Sequence, residues 1–268
     1  MSASASFRLA AALLSSFAIL ADAQGQSAPN APAPAYEPRS GQQGKDVVWV
    51  PTPQAVVDKM MEVARVGPQD VVLDLGSGDG RTVITAARLG ARAMGIEYNP
   101  DMVEFARRNA EKAGVSQQAT FVKADLFETS FDEASVITMF LLPEINRKLR
   151  PKILDLKPGT RIVSNTFTMD DWAPDTKVEL AGRPGCDNFY CTVLFWVVPQ
   201  RVAGTYKVAQ GVVTFRQEFQ MLTGTLETGA GTLEIKGQVR GESVEISAGN
   251  KAYRGRVNGG VLELREAG

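Results

Sequence analysis

The segment that most constrains the fold is residues 71–81, where an apolar run ends at an acid and continues as a glycine-rich turn. The run suits a strand buried on both faces, and residues 82–89 have the Ala-rich spacing of a helix. Gly76, Gly78 and Gly80 lie between the two, and residues without a Cβ let the backbone turn sharply and approach a ligand. The segment therefore predicts a strand, a ligand-binding turn and a helix.

Three ligand classes use such a turn, and the spacing separates them. A phosphate-binding P-loop requires Lys and then Ser or Thr after its last Gly, but Arg81 and Thr82 stand here. A dinucleotide fingerprint requires Gly where the chain has Arg81. The remaining pattern, acid-x-Gly-x-Gly-x-Gly from Asp74, resembles motif I of the class I S-adenosylmethionine-dependent methyltransferases. A ligand with two cationic groups and no phosphate suits a turn surrounded by acids.

Two more acids follow predicted strands. The strand predicted over residues 92–98 ends at Glu97, the distance at which a βαβ unit places a ribose-binding acid, and Asp125 follows the strand of residues 119–124. In the resembled family, the Glu97 position holds the ribose hydroxyls and the Asp125 position reaches the adenine amino group. The resemblance implies S-adenosylmethionine as cofactor and a set of cofactor-binding residues: Pro51, Thr52, Asp74, Gly76, Ser77, Gly78, Asp79, Gly80, Glu97, Tyr98, Asp125 and Leu126.

Composition removes several kinds of chemistry. The chain contains no histidine, which excludes histidine-based triads, bases and metal ligands. Its formal net charge of -1 argues against nonspecific nucleic-acid binding. The only cysteines, Cys186 and Cys191, either form a disulfide in an oxidising compartment or stay unpaired, and two thiols without histidine cannot fill a zinc site. We expect no metal and no nucleic-acid partner.

The N-terminal segment is typical of an export signal. Residues 1–23 contain Arg8, an apolar stretch over residues 9–20 and a small-x-small site at Ala21-Asp22-Ala23, so the mature chain is expected to start at Gln24. The alternative is an uncleaved membrane anchor. An exported, periplasmic or membrane-tethered protein is expected in either case. Residues 24–44, rich in Ala, Pro, Gln and Gly, are predicted to be a flexible linker.

Residues 45–200 alternate strand and helix patterns. Helices are predicted over residues 53–66, with Thr52 as N-cap, over 99–114 and over 144–156; further strands are predicted over 135–142, 160–167, 176–180 and 188–198, the last two antiparallel. This is the pattern of an α/β, doubly wound, seven-stranded, Rossmann-like sheet of the class I methyltransferase type, with its strand ends along one rim.

Residues 201–268 alternate apolar and polar residues between glycine-rich turns, which predicts a small all-β C-terminal domain, an antiparallel open sheet or little barrel. The pattern from Gly237 recurs from Gly255, and a looser copy starts at Gly224. The region lacks a catalytic constellation. It is either a stability or docking module, or a module that binds a ligand or partner.

The flanking motifs point to one branch of the methyltransferases. Val50-Pro-Thr-Pro53, the Asp74 loop, Glu97-Tyr-Asn-Pro100, Asp125-Leu-Phe127, Phe140-Leu-Leu-Pro143 and the segment 158–164 occur in this order. Together they resemble the protein lysine methyltransferases that include the mitochondrial enzymes acting on the adenine nucleotide translocase and on the c ring of ATP synthase, with their bacterial relatives. The resemblance covers residues 47–200 and implies methyl transfer to a lysine of a protein, with a membrane-associated protein among the candidates.

The acceptor side of the site is predicted at the ends of the fourth and fifth strands. Phe140, Leu141, Leu142 and Pro143 would form an apolar lip that favours a neutral amine, and Glu144 or Asn165 would align it. The alternative is ordinary core packing for the lip and a helix-dipole role for Glu144. Two other functions stay open: a small-molecule methyltransferase, and an exported binding protein without turnover. A DNA adenine methyltransferase is not expected, because no Asn-Pro-Pro-Tyr motif follows the fourth strand.

Overall fold

The protein is described by a computed structural model that covers residues 1–2, 36–186 and 189–267. Residues 3–23 of the predicted export signal and residues 24–35 of the predicted linker lie outside these ranges. The described chain from residue 36 onward contains two seven-stranded sheets. None of its helices is long and apolar enough to cross a membrane.

The first sheet is the predicted doubly wound arrangement. Its strands have the order β3-β2-β1-β4-β5-β7-β6; the first five are parallel, and β7 is antiparallel to both of its neighbours. The chain thus builds outward from β1 to β3 and then restarts at β4 on the other side of β1. The elements are α1 (Gln54–Ala64), β1 (Val71–Leu75), α2 (Arg81–Arg88), β2 (Arg92–Glu97), α3 (Pro100–Lys112), β3 (Ala119–Lys123), β4 (Val136–Met139), α4 (Pro143–Leu154), β5 (Arg161–Asn165), β6 (Thr176–Glu179) and β7 (Thr192–Val197).

Both faces of this sheet are covered, which explains the continuous apolar runs. In β1, Val72 packs with the helices α1, α2 and α3 on one face, while Leu73 and Leu75 pack with α4 on the other. Successive side chains of a strand point to opposite faces, so each face takes alternate residues. A strand that is apolar on both faces is stable only between two such layers.

Two predicted details of this region are wrong. Thr52 is not the N-cap of α1: Pro53 holds that position with φ -55° and ψ 139°, and no side chain caps the helix. Thr52 therefore lies one residue outside, where its carbonyl accepts a hydrogen bond from Arg81 Nη1 at 2.8 Å. The fourth strand also ends early. β4 stops at Met139, so the predicted lip begins beyond the last paired residue.

The second sheet is an antiparallel meander with its strands in sequence order. They are β8 (Gly204–Val208), β9 (Gly211–Glu218), β10 (Met221–Thr228), β11 (Gly231–Arg240), β12 (Ser243–Ala248), β13 (Lys251–Asn258) and β14 (Val261–Glu266). The two edge strands, β8 and β14, approach each other, so the sheet curls almost into a barrel around its own apolar core. The predicted all-β fold is confirmed; whether residues 201–268 fold independently stays a prediction.

The repeated glycines have a packing reason. Gly224, Gly237 and Gly255 lie in the middle of β10, β11 and β13. A Cβ at these positions would lie 1.8, 2.1 and 2.2 Å from a carbonyl oxygen of the adjacent strand. The strands approach too closely for any side chain there, because tight coiling of a small sheet brings neighbouring backbones together.

The two sheets are in direct contact. The Trp172 ring, at the side of β7, stacks on Phe219 with centroids 6.0 Å apart, and Gln220 Nε2 donates to Ala173 O at 2.7 Å. The backbone amide of Gln200 donates a hydrogen bond to Gly241 O at 2.8 Å. The second sheet is therefore anchored beside the half of the first sheet that contains β5 and β7.

Candidate active site

The carboxyl ends of the parallel strands share one edge, and a cleft opens there. Asp74 lies near the end of β1, Glu97 ends β2, and Asp125 follows β3; all three line the cleft, whose volume is about 1080 Å³ with its open side included. Further predicted cofactor residues also line it, namely Pro51, Thr52, Gly76, Ser77, Asp79, Tyr98 and Leu126. Gly78 and Gly80 do not line the cleft directly, but they shape the turn at its base.

The glycine-rich turn has the geometry that its sequence requires. Gly76, Gly78 and Gly80 adopt φ values of 74°, 52° and 82°, in the left-handed region that favours glycine. Space is equally restrictive: a Cβ at Gly78 would lie 2.3 Å from Trp49 Nε1, and one at Gly80 would lie 2.7 Å from the Phe121 ring. Both the conformation and the packing thus require glycine at Gly78 and Gly80.

The Glu97 carboxylate is held in place by the backbone. Its Oε2 accepts a hydrogen bond from the Gly78 amide at 3.0 Å, and its Oε1 accepts one from the Asn99 amide at 2.9 Å. Each carboxylate oxygen can accept a second bond. A fixed carboxylate with two remaining acceptor positions is suited to a pair of neighbouring hydroxyls, as on a ribose.

Asp74 is a buried acid at the floor of the cleft. Its side chain is only 6% exposed, and its Oδ1 accepts a hydrogen bond from Thr138 Oγ1 at 2.6 Å. Burial raises the pKa of the Asp74 carboxyl to about 7; the Thr138 bond lowers that pKa, and the negative charges of Asp79 and Glu97 raise it. A cationic ligand in the cleft would stabilise the ionised form. The Ser77 hydroxyl, also buried, has no hydrogen-bond partner among the described residues.

A segment before α1 covers the cleft, and the sequence did not predict this role for it. Residues 41–49, here called the strap, fold back on themselves: the Gly41 amide donates to Trp49 O at 2.8 Å, and the Trp49 amide donates to Gln42 O at 2.9 Å. Lys45 Nζ lies 2.5 Å from Asp125 Oδ2 and 4.9 Å from the centre of the Tyr98 ring. The flexible linker was predicted to extend to residue 44, because Gln and Gly give no local sign of these distant contacts.

The predicted acceptor residues are only partly brought together. Phe140 and Leu141 line the cleft, and Ile145, which was not predicted, joins them. Leu142 and Pro143 do not line it; Leu142 is the N-cap residue of α4, and Pro143 is its first residue. The two predicted catalytic residues are also elsewhere.

Glu144 and Asn165 have ordinary structural positions. Glu144 is exposed in the first turn of α4, where the helix dipole favours an acid. Asn165 is fully buried at the end of β5, and its Oδ1 accepts a hydrogen bond from Thr166 Oγ1 at 2.9 Å. Neither side chain lines the cleft. The structure therefore favours the alternative roles over direct alignment of an acceptor amine.

These features define a class of enzyme. A doubly wound seven-stranded sheet with a glycine-rich turn after β1 and acids after β2 and β3 is the arrangement of the class I S-adenosylmethionine-dependent methyltransferases. The residues also fit the cofactor: Glu97 suits the ribose, Asp125 suits an exocyclic amino group, and buried Asp74 suits a positively charged group. No group of three or more metal-ligating acids or cysteines occurs in the described part of the chain.

Comparison with known proteins narrows the class to a family. The family model described as the ANTKMT methyltransferase domain matches residues 74–176. A protein-lysine N-methyltransferase of Saccharolobus islandicus (strain REY15A) is 45% identical over 155 residues, which are 57% of this chain and 94% of that protein. This chain belongs to the methyltransferase family that these proteins represent, and it is an S-adenosylmethionine-dependent methyltransferase.

Two further relatives extend the comparison. The crystal structure of an RNA methyltransferase from Salinibacter ruber in complex with S-adenosyl-L-homocysteine is 50% identical, with a TM-score of 0.53, over 57% of this chain and 96% of that one. The adenine nucleotide translocase lysine N-methyltransferase of Mus musculus is 38% identical over 120 residues. Those residues are 44% of this chain and 52% of the mouse protein, so the chain matches about half of that relative.

Replacing Glu97 by Ala is expected to weaken S-adenosylmethionine binding. Loss of a charge-assisted hydrogen bond costs about 2–3 kcal/mol, which corresponds to an affinity roughly 30- to 150-fold lower. Calorimetric titration of S-adenosylmethionine into the protein measures this loss. The matched control is Glu104→Ala on the exposed side of α3, which should bind normally. A folded Glu97→Ala protein whose affinity stays within threefold of wild type would contradict the ribose assignment.

Binding of S-adenosylmethionine is also expected to strengthen as pH rises from about 5.5 toward 7.5. In the protein without ligand, the pKa of Asp74 is about 7. A cationic ligand binds the ionised carboxylate better, so binding releases the proton that Asp74 holds at lower pH. Above about pH 8, the α-amino group of the ligand loses its own charge. Affinities measured at several pH values should show this slope for wild type and a flat, weaker profile for Asp74→Asn. Equal slopes for the two proteins would rule out Asp74 as the group that causes the pH dependence of binding.

Proposed function

We propose that this enzyme transfers the methyl group of S-adenosylmethionine to a lysine side chain of a protein. The observation that carries the proposal is the 45% identity to a protein-lysine N-methyltransferase, nearly all of whose length the chain covers. The mouse relative, named for a lysine of the adenine nucleotide translocase, supports the same acceptor chemistry. More specifically, we propose that the protein substrate is associated with a membrane.

The residues of the cleft have distinct roles in this reaction. Bound S-adenosylmethionine supplies a methyl group already activated by a positively charged sulfur. Glu97 and Asp125 would hold the ribose and adenine ends, and Asp74 would stabilise the positive charge. The apolar residues Phe140 and Leu141, at the opposite side, exclude water from the reacting atoms. Each acts by binding or positioning.

The acceptor amine must lose a proton before it reacts. A lysine has a pKa of about 10.4 in water, so only a small fraction of it is neutral near pH 7, and this fraction is the form that reacts. The released proton passes to water. The neutral amine would then accept the methyl group as the C–S bond of the donor breaks, which would leave a methylated ammonium and S-adenosylhomocysteine.

Other acceptors are less well supported. The Salinibacter ruber relative is described as an RNA methyltransferase, but this chain has a net charge of -1, and acids surround its cleft. A polyanion would be repelled by such a surface. A small molecule stays the alternative within the enzyme class, and the label distribution in the following experiment separates all three.

Incubation with S-adenosylmethionine labelled in its methyl group is expected to label protein in a membrane-containing bacterial extract. After acid hydrolysis, the label should elute as methyllysine. The Glu97→Ala protein should give at least tenfold less label, and Glu104→Ala should match wild type. Label recovered only in RNA or in the small-molecule filtrate would refute the lysine proposal while preserving methyl transfer. An absence of label from every fraction would favour an exported binding protein.

We propose further that the mature protein acts outside the cytosol, either free or tethered by its uncleaved N-terminal segment. The export-like sequence of residues 1–23 supports this location, as does the Cys186–Cys191 disulfide, since such bonds persist in oxidising compartments. Cys186 and Cys191 are bonded to each other in the structure, which supports the predicted disulfide. Cells make S-adenosylmethionine in the cytosol. An enzyme outside the cytosol would therefore need a supply of this donor in its own compartment.

Fractionation of a bacterial host that expresses the full chain tests this location. A free exported protein should be released by osmotic shock and begin at Gln24 on N-terminal sequencing, because the predicted cleavage site precedes that residue. A tethered form should sediment with the membranes and retain its first residues. Soluble protein that stays in the cytosol with an intact N-terminus would contradict the proposal.

A further inference from the structure

Three aromatic rings form a contiguous group beside the cofactor cleft. Phe140 and Phe167 are stacked with centroids 5.7 Å apart, and Tyr190 meets Phe140 edge-on at 5.2 Å and Phe167 at 6.0 Å. We call these three side chains the aromatic wall. Phe140 itself lines the cleft, so the wall is continuous with it.

The sheet topology explains why these rings meet. Phe140 follows β4 and Phe167 follows β5, and these parallel strands end at the same edge. Strand β7 is antiparallel to β5, so Tyr190, which precedes β7, returns to that edge. The edge is thus divided: the acids lie at the ends of β1, β2 and β3, and the rings adjoin β4, β5 and β7.

The backbone around Phe167 is held in an uncommon conformation. Thr166 has a φ of 62°, which is unusual for a β-branched residue. The Phe167 amide donates to Asn165 O at 2.7 Å, and Phe167 O accepts hydrogen bonds from Ser164 Oγ at 2.7 Å and Asn146 Nδ2 at 3.3 Å. Such strain persists where the surroundings fix it, and it is concentrated at functional sites. Its effect here is to place the Phe167 ring against Phe140.

Tyr190 is also fixed by a covalent constraint. It lies next to Cys191, which is bonded to Cys186 five residues earlier. The disulfide closes the short loop that carries Tyr190 and anchors it at the start of β7. Both cysteine side chains are buried, whereas Tyr190 is only partly buried.

The wall differs from core packing in its exposure. All three rings are partly exposed, while residues of the neighbouring strands, such as Val163 and Leu194, are buried. Partly exposed ring faces attract an ammonium group through the ring quadrupole. They also offer an apolar surface to an aliphatic chain. A lysine side chain combines both properties, a four-carbon stem and a terminal ammonium.

We infer that Phe140, Phe167 and Tyr190 form the subsite that binds the side chain of the acceptor lysine. The inference rests on the proposed function and names the residues that select its substrate. The stem packs on the exposed ring faces and directs the amine toward the cleft beside Phe140. A methylated ammonium remains a cation, so the wall also accepts a lysine that already carries a methyl group.

Kinetics of lysine methylation test the wall. Phe167→Ala and Tyr190→Ala are each expected to lower kcat/KM for labelling of extract protein by at least tenfold, with S-adenosylmethionine affinity within twofold of wild type. Tyr190→Phe should keep most activity because it keeps the ring. The control is Phe189→Ala in the same loop, a side chain that is 96% exposed. Wild-type rates in both alanine variants would overturn the inference.

A binding measurement gives a second, independent readout. Choline and 3,3-dimethyl-1-butanol, its neutral carbon isostere, are titrated by NMR into protein saturated with S-adenosylhomocysteine. The wall predicts that wild type binds choline at least fivefold more tightly, and that Phe167→Ala and Phe167→Leu lose this preference. Equal binding of the two probes would overturn the inference even if lysine methylation is found. Choline preference without methyllysine formation would instead refute the proposed function and leave a cation site.

Discussion

The site depends on a turn that only glycine can make at its central positions. After β1, the backbone passes through the left-handed region at Gly76, Gly78 and Gly80, under the Trp49 ring and against Phe121. The turn presents the Gly78 amide to Glu97 on the adjacent strand, so the loop and the neighbouring acid fix each other. A strand that ended in any other way would leave the edge of the sheet without a shaped floor for the cofactor.

Electrostatics follow from the same geometry. Three carboxylates converge because parallel strands place their ends together, and burial raises the pKa of Asp74 to about 7. Ionising this buried carboxyl is unfavourable without a cation nearby. The cleft is therefore complementary to a positively charged ligand before that ligand arrives, and part of its binding energy comes from relieving an existing cost.

Local sequence patterns predicted the parts of the structure that local physics determines. The apolar run of β1, the three glycines, and the acids Glu97 and Asp125 were all recognisable, because strand burial, positive φ and parallel pairing each have a signature in the sequence. The meander and its repeated glycines were recognisable for the same reason. The seven-stranded order followed from the alternation of strands and helices.

What the sequence did not reveal depends on contacts between distant segments. The strap contains Gln, Gly and Lys residues typical of a linker, and only the approach of Lys45 to Asp125 shows that it is part of the site. Glu144 and Asn165 were predicted near the acceptor from chain order alone, but a helix turn and a buried strand end direct them elsewhere. Only Phe140 of the aromatic wall was predicted to lie at the site, because Phe167 reaches it from the end of β5 and Tyr190 from the loop before β7.

The division of the sheet edge separates two routes into the site. The strap lies over the acidic half, where Lys45 contacts Asp125, while the aromatic wall lies on the opposite half, beyond Phe140. If the rings hold the acceptor lysine, donor and acceptor lie on opposite halves of one sheet edge and meet beside Phe140.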